Sequence, residues 1–310
     1  MLNVEVVFLG VPVIVKNVFD KVEKVMWLII MLGLGSINSN AYAASIELAK
    51  SNRGTSLSGI TIEGRIEKGD YRKFLALTLS TKGVSYIFLA SPGGNFLEAL
   101  KIGNLIRKLK LQVWAPMFKG SHIVRLSDKS NAICASSCFF IYAAGINRTG
   151  SILGIHRPYM SEDDYKSMDL TRAGNIHQAL ANITKEYLKE MSIPSKYFDR
   201  IMAVDSSHIE WLKTSEVEAE LEGFIPMYQE WFSARCEGIN DQEEREYSRI
   251  LKLIPSGSRL PIKDFPFNKE DREFITYYDN KSSNKVDCEI ALLTQEQEKA
   301  RLEALDMLLN

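Results

Sequence analysis

A chain of 310 residues and 35.1 kDa is long enough for one large domain or two medium ones, with a full buried core. Apolar residues at 45% and charged residues at 25% are ordinary globular values, which exclude whole-chain disorder and a polytopic membrane protein. Lys and Arg total 38 against 39 Asp and Glu, a formal charge of -1, so no electrostatic argument supports a nucleic-acid partner.

The first predicted element is a leader. Lys21 and Lys24 precede an uncharged apolar run over residues 25–35, followed by polar Ser36–Asn40 and by Ala41-Tyr42-Ala43-Ala44. A basic lead, a short apolar core and an Ala-x-Ala site make a secretory signal peptide over residues 1–43, cleaved after Ala43, which predicts export to the periplasm. The apolar run falls short of the roughly 20 residues of a transmembrane helix. The lead is long and carries Glu5, Asp20 and Glu23 beside its lysines. A start codon assigned too far upstream accounts for that, and an uncleaved membrane anchor is the rival reading. Residues 44–57 read as a linker.

All four cysteines, Cys134, Cys138, Cys236 and Cys288, lie beyond the leader. An even count in an exported chain permits two disulfides. Only Cys134 and Cys138 are close in sequence, which favours 134–138 with 236–288; free buried thiols are the alternative. No Cys-x-x-Cys and no His at zinc-ligand spacing occurs, so no structural zinc is expected; with neither a Gly-x-Gly-x-x-Gly nucleotide loop nor a Walker sequence present, no cofactor is expected.

From about residue 57 the pattern is α/β. Residues 60–66 alternate like a strand, Gly69-Asp70 opens a helix to about 80, and Val84–Ala90 is a short apolar run of the kind buried in a parallel sheet. Ser91-Pro92-Gly93-Gly94 breaks the chain. A helix follows over 96–110, with Leu97, Leu100, Leu105 and Leu109 on one face, and then a strand over 111–115. This is a βαβ unit. Residues 116–131 read as a polar surface insertion, Ile133–Ala144 as a helix buried all round, and Ile152–His156 as a strand ended by Arg157-Pro158. An amphipathic helix is predicted over 171–191, with Ile176, Leu180, Ile183 and Tyr187 at its apolar positions. Short helices fill 194–224. From 235 the chain is charged and turn-rich and closes with a helix over 295–309, an appendage to a domain spanning 58–234.

Acyl transfer needs a nucleophile, a base and fixed donors for the developing oxyanion. In Cys134-Ala135-Ser136-Ser137-Cys138 a serine stands where a connection enters a buried helix, beside unpaired N–H groups and the positive end of the helix dipole. The plain alternative is a capping serine. Gly93 and Gly94 directly follow a buried strand and allow positive φ and close approach of backbone to a ligand; the plain alternative there is a simple turn. His156 stands at the C-terminal end of a predicted strand, where open α/β sheets keep their sites. His122, His177 and His208 have weaker settings.

The order of these pieces resembles a family. Gly64-x-Ile66-x-x-Gly69-Asp70, then Ser91-Pro92-Gly93-Gly94, then Ala135-Ser136 with Ala144-Gly145, then His156-x-Pro158, is similar over residues 58–225 to the Clp protease proteolytic subunit within the ClpP/crotonase superfamily. The nearest likeness is to exported ClpP-like proteins with Cys-Ala-Ser-x-Cys at the nucleophile. The resemblance implies a ClpP/crotonase-like βαβ superhelical core carrying the C-terminal appendage. It implies Ser136 as nucleophile, His156 as general base, and the Gly94 and Ser137 N–H groups as oxyanion hole. Ser136 is chosen over Ser137 because its distance to Gly145 matches the family spacing without a gap. The triad acid is expected just before Trp211-Leu212, with Asp205 first and Glu210 in reserve, though the spacing fits neither cleanly. The implied function is an exported, ATP-independent serine hydrolase of peptide or protein substrates, with no ATPase partner. The helix at 171–191 stands where the family has its oligomerisation handle, which suggests a homo-oligomer. A non-catalytic ClpP-like binding or scaffold protein is the alternative. A crotonase-type acyl-CoA enzyme is disfavoured, because such enzymes rely on acidic residues and acyl-CoA is cytoplasmic.

Overall fold

A computed structural model of the protein describes residues 44–50, 56–116, 132–160, 162–255 and 261–309. The expected leader at 1–43 and insertion residues 117–131, with His122, lie outside the described residues. The chain forms two units: one runs to Gly223 and takes in Gln297–Asn310, and the other is Phe224–Glu296. The boundary therefore falls ahead of residue 234, and the end of the expected appendage belongs to the first unit.

In the first unit the elements are β1 (Ser45–Lys50), β2 (Ser56–Glu63), α1 (Asp70–Ser80), β3 (Tyr86–Ala90), α2 (Phe96–Lys108), β4 (Gln112–Trp114), β5 (Cys134–Ala135), α3 (Ser137–Ala143), β6 (Asn147–Thr149), β7 (Leu153–Ile155), α4 (Glu162–Lys166), α5 (Leu170–Glu190), α6 (Lys196–Ala203), β8 (Glu210–Trp211) and α7 (Thr214–Glu220). The class is α/β, as the sequence predicts. β2, β3, β4 and β6 run parallel, with β1 antiparallel on the edge of β2. Ile87, Leu89 and Ala90 of β3 are buried, which explains the continuous apolar run of that strand. β1 occupies the expected linker. Only Ala49 of it is buried, so it shows no alternation and owes its existence to pairing with β2. A second, small sheet joins β5, β7 and β8, with β5 and β7 parallel.

Two helices differ from expectation. The segment 133–144 is a short strand, a single turn residue and a helix, and apart from the half-buried Ile133 and Ser136 it is buried throughout. The last helix, which begins in the second unit, is α10 (Lys269–Leu309) rather than 295–309. Its final turns put Ala300, Ala304 and Leu305 into the main core of the first unit, and Gln297 bonds Ser85 and the Lys110 carbonyl there.

The C-terminus of α3 is held by two arginines. Arg107 donates to the carbonyls of Ala143, Ala144 and Gly145 and to those of Glu190 and Met191, and Arg148 donates to Ala143 and Met191. Two guanidiniums thus meet the negative ends of α3 and α5 together. Arg148 is only 3% exposed, and burial pulls it down to about 10.

The N-terminus of α1 depends on a residue of another helix. Its cap position is Gly69, which has no side chain to offer, and Glu98 of α2 accepts the N–H groups of Gly69 (3.1 Å) and Tyr71 (3.0 Å) in its place. Burial works to raise the Glu98 carboxyl, but the Lys101 ammonium and these two N–H donors outweigh it and hold the group below the usual carboxylate range. A group depressed in this way stabilises the fold above its unfolded-state value and loses that contribution as pH falls through its folded-state value. Glu98→Gln is therefore expected to cost about 1–3 kcal/mol near neutral pH. Thermal melts at stepped pH should show variant and parent converging on acidification.

The second unit is helical: α8 (Pro226–Ser233), α9 (Asp241–Leu251) and most of α10, around a small core of Ile250, Phe267 and Ile275. The Cys236–Cys288 disulfide closes it. Asn240 and Glu243 form a capping box on α9, and Lys281, Tyr277 and the Asn240 N–H together hold the Glu243 carboxyl at about 2.

Candidate active site

The two-residue strand β5 ends at Ala135 and α3 begins at Ser137, so a single residue makes the turn between them. That residue is Ser136, with φ 56° and ψ -126°. A side chain in this region costs about 1–3 kcal/mol, and it persists only where its surroundings over-determine it. Here they do. Ala135 N–H donates to the Ser91 carbonyl, Ser136 N–H donates to the Gly154 carbonyl, and the Cys134–Cys138 disulfide bridges the turn. Both cysteines are fully buried, and their pairing is the one that sequence proximity favours.

Gly93 and Gly94 lie beneath this turn with φ 98° and 139°. A β-carbon on Gly93 would stand 2.6 Å from the Ser136 Cβ, and one on Gly94 would stand 2.1 Å from the Ile66 carbonyl oxygen. Ile66 donates its N–H to the Gly93 carbonyl and accepts that of Asn95, clamping the glycine pair from the far side. Ser137 spends its hydroxyl on the Gly94 carbonyl at 2.7 Å, a structural bond. The N–H groups of Gly94 and Ser137 have no hydrogen-bond partner among the described residues, and both residues line one cleft. The unused donors are the two expected for an oxyanion hole.

His156 follows β7 directly and is 7% exposed. The parallel register Cys134↔Leu153 and Ala135↔Gly154 carries Ser136 and His156 off the same end of a strand pair. The two side chains line the same cleft, of about 460 Å³. The His156 Nδ1 lies 2.8 Å from the Arg157 carbonyl oxygen, and its ring lies beside Tyr159. A carbonyl only accepts, so Nδ1 carries the hydrogen and Nε2 keeps the lone pair that a general base needs. No hydrogen bond joins Ser136 Oγ to the ring among the described residues. No family model and no curated protein matches the chain. The assignment of these residues therefore rests on their own geometry and chemistry.

The expected acids stand apart. Asp205 accepts from Arg157 Nη2 at 2.5 Å and from the Ser207 N–H and hydroxyl, with half its side chain in solvent. Ser207 and Arg157 hold its carboxyl below the usual range. Glu210, the reserve, is bonded to Arg200. Neither carboxylate is hydrogen-bonded to His156 among the described residues, so this geometry gives no support to Asp205 or Glu210 as its orienting acid. His177 is exposed on α5, and His208 bonds Ser207. Among the described residues no group of three or more His, Cys, Asp or Glu is placed to hold a metal.

Most of the cleft wall escaped sequence reasoning. It is apolar, formed by Phe96, Leu97, Phe140, Pro158, Tyr159, Met160, Ile176 and Leu180, with Arg65, Glu67 and Asp164 as its charged members. Leu97 is the instructive case. It sits in the predicted core stripe of α2 yet is 53% exposed, because it faces the cleft while Leu100, Leu105 and Leu109 face the core.

Proposed function

We propose that the protein is an exported, ATP-independent serine hydrolase acting on peptides, with a core of the ClpP/crotonase type. The observation that carries this reading is the conformation of Ser136. A serine held at positive φ between a strand and a buried helix presents its hydroxyl at a sharp turn, the arrangement that hydrolases use to expose a nucleophile. Three neighbours support it: a buried histidine in the same cleft with its Nε2 lone pair free to act as base, and the Gly94 and Ser137 N–H groups unspent. In this reading Ser136 Oγ attacks an acyl carbon, its proton passes to His156 Nε2, and the two N–H groups take up the oxyanion. The apolar wall suits an apolar side chain next to the scissile bond. Two disulfides, and the lack among the described residues of a helix able to cross a membrane, are compatible with an extracytoplasmic protein. The exposed first turns of α5, where Leu170 is 90% exposed, are the surface for a homo-oligomer.

The missing Ser136–His156 hydrogen bond favours a second reading, a ClpP-like binding protein without turnover. Such bonds commonly tighten only when substrate arrives, so the hydrolase is preferred. Treatment of the protein with a fluorophosphonate probe, followed by mass spectrometry, separates the two. The expected result is an adduct on Ser136 that is lost in Ser136→Ala and kept in Ser137→Ala. An unlabelled but folded protein supports the binding reading, and an adduct on Ser137 moves the nucleophile by one residue.

A further inference from the structure

We infer that His156 works in a Ser–His dyad whose orienting group is a peptide carbonyl, that of Arg157, and that neither Asp205 nor Glu210 takes part. This rests on the hydrolase reading above. The 2.8 Å contact from Nδ1 to the Arg157 oxygen fixes the tautomer, which is the first task a triad acid performs. His156 is 7% exposed, which limits the competition of water for that bond.

The carbonyl is itself held in place. Arg157 precedes Pro158, and a residue before proline is confined to extended backbone, which fixes the direction of its carbonyl. Its N–H donates to the Val204 carbonyl at 3.1 Å, and its side chain is tied to Asp205. The His156-x-Pro158 spacing thus has a physical purpose in this chain: it supplies the histidine with an acceptor from its own strand end.

The two carboxylates expected to orient the ring have other partners. Asp205 is on Arg157 and Ser207, and Glu210 is on Arg200. Glu67, which lines the cleft together with Asp164, is paired with Arg65. During acylation the Ser136 proton moves to Nε2 and later to the leaving group, while the Nδ1 proton stays on the ring throughout. The imidazolium formed in between faces a carbonyl dipole in place of a full negative charge. The site is then insensitive to removal of either Asp205 or Glu210 as an orienting acid.

The test is the fluorophosphonate labelling rate as a function of pH, for the parent and for Asp205→Asn, Glu210→Gln, Glu67→Gln and Asp164→Asn, with melts to confirm folding. A triad acid replaced by its amide costs about 10⁴-fold through the wrong tautomer. The expected result here is a loss below about a hundredfold in every variant, with the acid limb of the profile where the parent has it; the hundredfold bound leaves room for displacement of Arg157. A thousandfold or greater loss in any folded variant, or a shift of its acid limb to lower pH, overturns the dyad. Should Asp205→Asn fail to fold, Asp205→Ser gives the same reading. A parent that is not labelled on Ser136 at all overturns the hydrolase reading, and the dyad falls with it.

Discussion

Gly94→Ala is expected to slow the reaction of Ser136 with a fluorophosphonate by about 10²–10³-fold, the usual cost of losing one oxyanion donor. The added methyl would lie 2.1 Å from the carbonyl oxygen of Ile66 and 2.8 Å from its nitrogen. Both are backbone atoms, so no rotamer change relieves the overlap. The glycine loop must lift away from Ile66, breaking the bridge that fixes it and turning the Gly94 N–H out of the cleft. The native φ of 139° adds strain for any side chain. Gly83→Ala is the control. Gly83 also has a positive φ, 74°, but its β-carbon meets nothing within 4 Å. It should lower the melting temperature slightly and leave the labelling rate alone. Equal rates in Gly94→Ala and the parent would show that this N–H is not an oxyanion donor.

The second large effect concerns stability. Replacing Cys236 and Cys288 together by alanine is expected to cost the second unit about 4 kcal/mol, the entropy released when a loop of this length is opened in the unfolded chain. The two cysteines are 52 residues apart, and the hydrophobic core they close consists of Ile250, Phe267 and Ile275 with a few partly buried neighbours. A core that small has little stability to spare. Denaturant unfolding followed by tryptophan emission, with Trp231 as the reporter in this unit, should show an early transition in the double variant. The Cys134–Cys138 bridge spans only 4 residues, and the same relation gives it about 2 kcal/mol. Its value is local, since it closes across the strained serine.

The legibility of this chain follows from where each segment is buried. β3 and α2 could be read because one is covered on both faces and the other on a single stripe, so apolar spacing reports their structure directly. The turn at Ser136 could not. Residues 134–144 are almost all buried, and a pattern without a polar face does not distinguish strand, elbow and helix. β1 was hidden for the opposite reason, being an edge strand with one buried residue, and α10 because its long exposed middle, Asp279 to Asp287, reads as turn-forming polar sequence. Ser136, His156 and the two glycines were found from motif order, which survives insertion of loops. The orienter of the histidine was not, because a backbone carbonyl leaves no residue type behind to recognise; only Pro158 hinted at it.

The first unit is discontinuous, and this sets the order in which the molecule can be finished. Ala300, Ala304 and Leu305 pack into a core otherwise built before Gly223, while Phe224–Glu296 lies wholly between. During synthesis the inserted unit has all its residues first. The core of the first unit is completed only when the end of α10 arrives. Until then the nascent first unit lacks the last piece of its core, so its folding can finish only after Phe224–Glu296 has been synthesised.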